Sequence, residues 1–248
     1  MNREATDLAG VRHRTYDTLG STNAEALALA RAGERGPLWI TAKSQSAGRG
    51  RRGSAWVSAP GNLYATLLLT KPSAPAQAPQ LSFVAALALH DAVSDVAPQL
   101  APALAVKWPN DLLLGGKKLA GILIEGDSEK VFAAAVGIGV NCASHPAETN
   151  HPATDLVASG AHVAPERLFA ALVPALQRRL AQWQRGDGFA AIRADWLKRA
   201  AGLGEDIRVR LPERELFGRF EGLDAAGRLL LRGQSGITAV TAGDVYGL

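Results

Sequence analysis

The chain carries a single cysteine, Cys142, among its 248 residues. That excludes an internal disulfide and any zinc or iron–sulfur centre built on clustered thiolates. A lone thiol suits a reducing compartment. Long apolar runs are missing too. The N-terminus, MNREATDLAGVRHRT, has no apolar core of signal-peptide length, and no later stretch is long enough to span a bilayer. These absences set the expectation of a cytoplasmic protein with no membrane association and no resident protein-bound metal.

What is present is enough chain for one domain of ordinary size and a small second one, without cross-links to stabilise them. A formal charge of +4 and a pI near 9.5 raise the question of a polyanionic partner. The densest basic part is short: Arg49, Arg51 and Arg52, set among glycines and not along a helix face. A nucleic-acid backbone needs cations spread along its length, so this compact loop points to a small phosphate ligand and to no nucleic-acid partner.

Thr22 with Glu25 three positions on has the form of a capping box and opens an alanine- and leucine-rich helix stopped by Gly33. Residues 38–42 and 63–70 read as strands joined by the glycine–arginine loop, and 81–96 as an apolar helix closed by Pro98. A strand over 104–108 ends at Pro109. Segments 112–114 and 118–125 flank Gly115-Gly116 as a hairpin, and 131–141 is a further β-rich run. The polar, proline-containing stretch 142–164 reads as a mobile connection. Two amphipathic helices follow, over 166–183 with Pro165 opening it and over 189–200. Short alternating strands at 207–211, 216–223, 229–232 and 237–240 complete the chain. The pattern predicts an α+β fold, a mainly antiparallel or mixed sheet with flanking helices over 1–202, then a small all-β domain over 203–248.

Gly48-Arg49-Gly50-Arg51-Arg52-Gly53 satisfies G-x-G-x-x-G, but the residues that follow, SAWVSAPG, do not form the helix on which a dinucleotide's pyrophosphate would rest. What the loop offers is three guanidinium forks on a pliable backbone, suited to carboxylates and phosphates; a merely solvated basic turn is the plainer alternative. The run Lys107-Trp108-Pro109-Asn110-Asp111 fixes a lysine, a carboxamide and a carboxylate at a strand end, and Lys118 opens an apolar strand that can hold its ammonium towards a site. Taken singly, Trp108 reads as core, Lys117 as a solvated turn and Asp111 as a turn cap. Gly137 and Gly139 lie inside a β-run, where glycine marks close approach of a ligand or another backbone.

Together these motifs resemble the biotin protein ligase family. QSAGRGRRG from Gln45 to Gly53 is similar to that family's biotin-binding loop, KWPND to its second signature and KLAGILIE from Lys118 to Glu125 to its third. Ser21-Thr22-Asn23 and Gly137-Ile138-Gly139-Val140-Asn141 match two further motifs, all in family order, so the resemblance covers nearly the whole chain. It implies a catalytic domain like that of class II aminoacyl-tRNA synthetases and biotin/lipoate ligases, with a C-terminal barrel like an Src-homology-3 domain. It also implies an enzyme that adenylates biotin with ATP and Mg²⁺, releasing pyrophosphate, then passes the biotinyl group to a lysine. The implied acceptor is a biotin carboxyl carrier domain of acetyl-CoA carboxylase or a related carboxylase.

Site roles follow from the same resemblance. Ser21, Thr22, Asn23 and Gln45 are expected at the ureido ring, with Gly121, Gly137 and Gly139 beneath it. Gly48, Arg49, Gly50 and Arg51 belong to the loop that closes over the adenylate. Lys118 is expected on the biotin carboxylate and the phosphate, Arg52 on phosphate, Asn141 on the nucleotide and Asp111 at the acceptor amine. Lys107, Trp108 and Asn110 support the motif.

A lipoate ligase shares the adenylation logic but lacks this arginine-rich loop. A binding module without activity is disfavoured by the intact Arg51 and Lys118. Some relatives are also repressors with an N-terminal DNA-binding domain; the early Ser21-Thr22-Asn23 motif leaves no room for one, so a single-function enzyme is expected, as a monomer or homodimer. Cys142 with His145 resembles a thiol site but reads as inert, and His90 as structural. Three departures stand out: Gly20 where relatives often have an acid, no adenine-stacking aromatic in 142–164, and a chain that stops at Leu248 soon after Asp244 and Tyr246.

Overall fold

A computed structural model describes residues 3–8, 11–147, 149 and 151–247. Leu248 lies outside them. The main body is an eight-stranded sheet of β1 (Arg3–Leu8), β2 (Val11–Leu19), β3 (Leu38–Gln45), β4 (Leu63–Thr70), β5 (Leu104–Lys107), β6 (Asp111–Leu114), β7 (Lys117–Asp127) and β8 (Ala133–Val140). Their order is β1-β2-β3-β4-β8-β7-β6-β5, and every pairing is antiparallel except β2 with β3.

Alternation along the strands gives the sheet two buried faces. Leu38, Ile40, Leu68, Ala133 and Ala135 form one cluster with Ala26 and Leu27 of α1 (Thr22–Arg31). Trp39, Leu67, Val136 and Ile138 point the other way, into the larger core with α2 (Leu81–Val96), α3 (Pro165–Trp183) and α4 (Phe189–Leu197). Helix α2 is buried nearly all round, which explains its lack of a polar face.

A second, five-stranded antiparallel sheet holds β9 (Asp206–Arg210), β10 (Glu215–Leu223), β11 (Leu229–Gly233), β12 (Gly236–Val240) and β13 (Asp244–Tyr246), in the order β12-β11-β10-β9-β13. Its apolar face, with Ile207, Val209, Phe220 and Leu231, joins the same core as α2. Trp108 Nε1 donates to the Gly227 carbonyl at 3.1 Å across that junction. The mixed α/β architecture and the all-β C-terminal part agree with expectation.

Four local readings need correction. The N-cap of α1 is Ser21, whose Oγ accepts from Ala24 N at 3.4 Å, and not Thr22, whose hydroxyl is engaged elsewhere. Glu25 does not reach back to the cap but accepts from the Tyr16 hydroxyl at 2.9 Å. Strands β1, β2 and β13 went unread: β2 buries Val11 and Tyr16, five apart, with no clean alternation, and β13 has only three residues. The connection after β8 is pinned and not mobile over its second half. Thr154 N and the Pro152 carbonyl bond to the backbone of Lys118, and Asn141 Nδ2 donates to the Thr154 carbonyl at 3.0 Å.

Arg179 of α3 joins the helices by pairing with Asp91 of α2 at 2.8 Å and Asp195 of α4 at 2.9 Å. Hydrogen bonds from Gln182 first, then from Lys198 and Arg179, hold the Asp195 carboxyl at about 2, below its ordinary 3.8, against the opposing effect of burial. A carboxyl depressed on folding stabilises the fold above its unfolded pKa, and that contribution is lost as pH falls from 3.8 towards 2. Asp195→Asn should lower stability at neutral pH by about 1 kcal/mol, given partial solvent screening, and flatten the acid limb of urea midpoints measured against pH.

Candidate active site

One cavity of about 1120 Å³ opens on the α1 face of the main sheet. Its floor follows from strand register. On β8 the positions that pack Ala133 and Ala135 under α1 continue as Gly137 and Gly139, and Gly121 of β7 pairs directly with Gly139. With no side chains of their own there, the strands leave the space that Trp56 and Asn23 enter. A methyl at Gly121 or Gly139 would meet the Trp56 ring, at 3.0 and 2.7 Å, and one at Gly137 would meet Asn23 Oδ1 at 2.3 Å.

The wall beside α1 is a hydrogen-bonded polar recess. Gln45 Oε1 accepts from Thr22 N at 2.9 Å and Thr22 Oγ1 at 3.1 Å, while Gln45 Nε2 donates to Ser58 Oγ at 2.9 Å. Thr66 is fully buried on β4, with its hydroxyl 2.8 Å from Thr22 Oγ1 and 2.7 Å from Asn23 Oδ1. It has one proton and donates to only one of them at a time. Asn23 spends both amide hydrogens on the protein, giving them to the Leu123 carbonyl at 3.1 Å and Glu125 Oε2 at 2.8 Å. Its carboxamide is therefore a bracket within the recess, with no donor left for a ligand.

The opposite end is charged. KWPND forms a tight hairpin: Lys107 pairs with Asp111 between β5 and β6, and Asn110 docks on β7 through Ile122, its Nδ2 donating at 2.7 Å. This sets Asp111 2.8 Å from Lys118 Nζ, and Lys118 also lies 5.5 Å over the Trp56 ring. Lys107 is buried; desolvation lowers its pKa, with Lys118 adding to the shift and Asp111 opposing it. Its Nζ lies 3.4 Å from His151 Nδ1, and His151 stacks on Tyr246 of β13 with ring centroids 4.3 Å apart. Burial, and then Lys107, lowers the His151 pKa, which leaves the ring neutral at physiological pH.

The arginine loop is a small hairpin in its own right. Gly50 N donates to the Ser54 carbonyl at 2.7 Å and Trp56 N to the Gly48 carbonyl at 3.0 Å. Arg49 reaches Glu125 at 3.1 Å, while Arg51 and Arg52 reach Asp244 of the second sheet at 3.6 and 3.1 Å. Arg51 also donates to the Gly243 carbonyl at 3.2 Å and Asn110 Oδ1 at 3.5 Å. Burial lowers the Arg51 pKa, against the pull of Asp244.

The cavity thus gathers Ser21, Thr22, Asn23, Gln45, Arg49, Gly50, Arg51, Arg52, Lys107, Trp108, Asn110, Asp111, Lys118, Gly121, Gly137, Gly139 and Asn141. Gly48 does not line it; it packs beneath the loop, where a Cβ would lie 2.5 Å from Ser58 Oγ and the Trp56 carbonyl. Sequence reasoning missed Trp56, Thr66 and His151, and had Asp244 and Tyr246 only as near neighbours of the chain end. Of these, Trp56 alone carried a signal, an aromatic immediately after a glycine-rich loop. Cys142 and His145 make no catalytic pair: the thiol is buried and pushed up to about 12 by desolvation, and His145 Nδ1 lies 2.6 Å from Asp155.

Three outcomes follow. Gly137→Ala forces the buried Asn23 to shift and should cost about 1–3 kcal/mol of stability together with ligand affinity; Gly139→Ala displaces only the loop-borne Trp56 and should lose affinity while the thermal midpoint holds. Calorimetric titration beside thermal melts separates the two. Cys142 should resist a disulfide reagent at mildly alkaline pH until the chain is unfolded.

Comparison with known proteins agrees with this architecture. Residues 21–141 match the biotin/lipoate A/B protein ligase family, and residues 202–246 match the biotin protein ligase C-terminal domain. The chain is 49% identical to a biotin–[acetyl-CoA-carboxylase] ligase of Paracoccus denitrificans, over 91% of this chain and 96% of that one. It is 34% identical to the corresponding ligase of Mycobacterium tuberculosis, over 97% and 91%. The Aquifex aeolicus biotin protein ligase in complex with biotin and ATP superposes with a TM-score of 0.80 at 25% identity, over 94% of this chain and 97% of that one. Sequence likeness along almost the full length of both molecules, on the same fold, places this chain in the biotin protein ligase family.

Proposed function

We propose that the protein activates biotin with ATP to biotinyl-5′-AMP, releasing pyrophosphate, and then biotinylates a lysine of a biotin carboxyl carrier domain. One observation carries the reading: a single cavity joins a neutral, hydrogen-bonding recess over a bare glycine floor to a strongly basic end. A small uncharged ring with a carboxylate tail fits the first half, and a nucleotide the second. Five basic and two acidic side chains line the cavity.

Ser21, Thr22 and Gln45 hold the ureido ring, with Asn23 and Thr66 fixing their geometry. Trp56 covers the glycine floor and shields the tail from water. The carboxylate and the α-phosphate repel each other, so bringing them together needs cations already in place. Lys118 stands between the two halves of the cavity, and Arg51 and Arg52 approach from the loop; groups fixed before the reaction add little reorganisation to the barrier. Attack by a carboxylate oxygen on the α-phosphorus expels pyrophosphate into the basic end. The mixed anhydride is then protected by the arginine hairpin, which excludes water.

In the second step a neutral lysine amine attacks the acyl carbon, AMP departs, and the amine's extra proton must leave. Asp111 is the carboxylate nearest Lys118 and the group to receive that proton or orient the amine. Asn141, His151 and Tyr246 form the nucleotide wall.

Mg²⁺ is expected with the nucleotide. Among the described residues no three His, Cys, Asp or Glu side chains gather as a metal site, and the two cavity carboxylates are paired with Lys118 and with Arg51 and Arg52. The chain's donor set therefore does not fit a resident ion; one arriving on the nucleotide keeps phosphate and water ligands.

The reading extends to a catalytic unit over 1–202 and a small all-β unit over 203–248, a cytoplasmic location and no nucleic-acid partner. No helix among the described residues is long and apolar enough to cross a membrane.

Biotin-dependent exchange of labelled pyrophosphate into ATP tests the first step, with lipoate alongside. Lys118→Ala should lower exchange at least about a hundredfold while staying folded, as expected for a charge aimed at the transferring group. Equal exchange with lipoate, or none with biotin, overturns the reading. A streptavidin blot after adding a carrier domain tests transfer.

A further inference from the structure

Glu125 ends the apolar run of β7 and is absent from the cavity wall, yet two parts of the site converge on it. From one side Asn23 Nδ2 donates to Oε2 at 2.8 Å, and the same carboxamide accepts from Thr66 and sits under Gly137. From the other side Arg49 Nη2 donates to Oε1 at 3.1 Å and Oε2 at 3.4 Å. Arg49 leaves the rest of its hairpin to face the second sheet: Arg51 and Arg52 go to Asp244, Arg51 also reaching Asn110 at 3.5 Å, while Arg49 pairs with Glu125 of β7.

The consequence runs through the backbone of that hairpin. Arg49 and Ala55 form an antiparallel bridge, and Trp56 N is bonded to the Gly48 carbonyl, so the two arms move together. Fixing Arg49 fixes the seat of the Trp56 ring on Gly121 and Gly139. We propose that Glu125 is a positioning residue: its carboxylate couples the Asn23 bracket of the ureido recess to closure of the arginine hairpin, and Arg49 serves as the hairpin's anchor. A carboxylate is needed because one group must accept from a neutral amide and a guanidinium at once; the Arg49 bond is charge-assisted and roughly twice as strong as a neutral one. Glu125 is partly exposed, with 28% of its side-chain surface accessible, so a neutral isostere there does not empty the core.

The proposal rests on the ligase reading for its substrate, but the contact itself is testable without substrate. Limited trypsin digestion cleaves after the hairpin arginines and reports its opening directly. Without ligand, Glu125→Gln should raise hairpin cleavage about tenfold, the scale of one lost charge-assisted hydrogen bond, with the thermal midpoint unchanged. Arg49→Gln breaks the same contact from its exposed side and should raise cleavage after Arg51 and Arg52 equally. The double variant should add nothing to either single one. In pyrophosphate exchange, Glu125→Gln should raise the biotin KM about tenfold with kcat nearly unchanged, as for a lost uniform binding contribution. Wild-type cleavage in either single variant, or additive effects in the double, overturns the proposal. If the cleavage pattern holds but wild-type protein shows no biotin-dependent exchange, the clamp stands and the ligase reading falls.

Discussion

The site depends on the bareness of two neighbouring strands. Where β7 and β8 run under α1, side chains fill the space between sheet and helix; two residues further along β8 the same face carries only Gly137 and Gly139, with Gly121 alongside. A sheet with side chains at those positions would be covered like the rest of its surface, and the cavity would close. Neighbouring polar groups then acquire their geometry from the floor. Asn23 lies in the space Gly137 leaves, Trp56 in the space Gly121 and Gly139 leave, and Thr66 reaches Thr22 and Asn23 because it faces the same way from β4. Shape comes from missing atoms and specificity from the few groups set around them.

Charge is the second constraint, and it is handled by provisional pairing. Each arginine of the hairpin has a carboxylate within ion-pair distance, and Lys118 has Asp111. Without such partners, several cations around one cavity would repel each other and drive the hairpin outward. The partners differ in kind. Asp244 and Asp111 line the cavity and can be outbid by an incoming phosphate, whereas Glu125 lies outside it and keeps Arg49. Among the described residues Lys107 has no carboxylate within ion-pair range, and burial lowers its pKa. A bound anion would favour the charged form there and oppose that shift.

Where a function depends on contiguous residues, the sequence was readable. KWPND is a hairpin whose own register opposes Lys107 and Asp111, and the glycine–arginine run is a hairpin closed by its own backbone. The helices α2 and α3, with an apolar core and a proline at the right end, were legible for the same reason. What stayed hidden is set by register between distant strands. Nothing near Thr66 in the sequence says that its neighbour across β8 is a glycine with Asn23 beyond it. Thr22 looked like a cap because its spacing to Glu25 fits one, but both side chains have tertiary partners that outcompete local bonding.

The polar stretch after β8 shows the same limit in the other direction. Its composition is that of a loose loop, yet Lys118 N donates to the Pro152 carbonyl and the Lys118 carbonyl accepts from Thr154 N. That strand-like addition carries His151 to the cavity wall, where it meets Tyr246 from the far end of the chain. Lys118 is therefore held from two sides: its backbone by this segment, its ammonium by Asp111. The second sheet is likewise part of the site, because the Gly243 carbonyl and Asp244 receive the hairpin that β3 and β4 present. The cavity wall is assembled from segments separated by most of the chain: its five basic side chains come from residues 49–118, and Asp244, Val245 and Tyr246 come from the second sheet. The C-terminal strands thus reach the arginine hairpin and the cavity wall even though their sequence carries no catalytic signature.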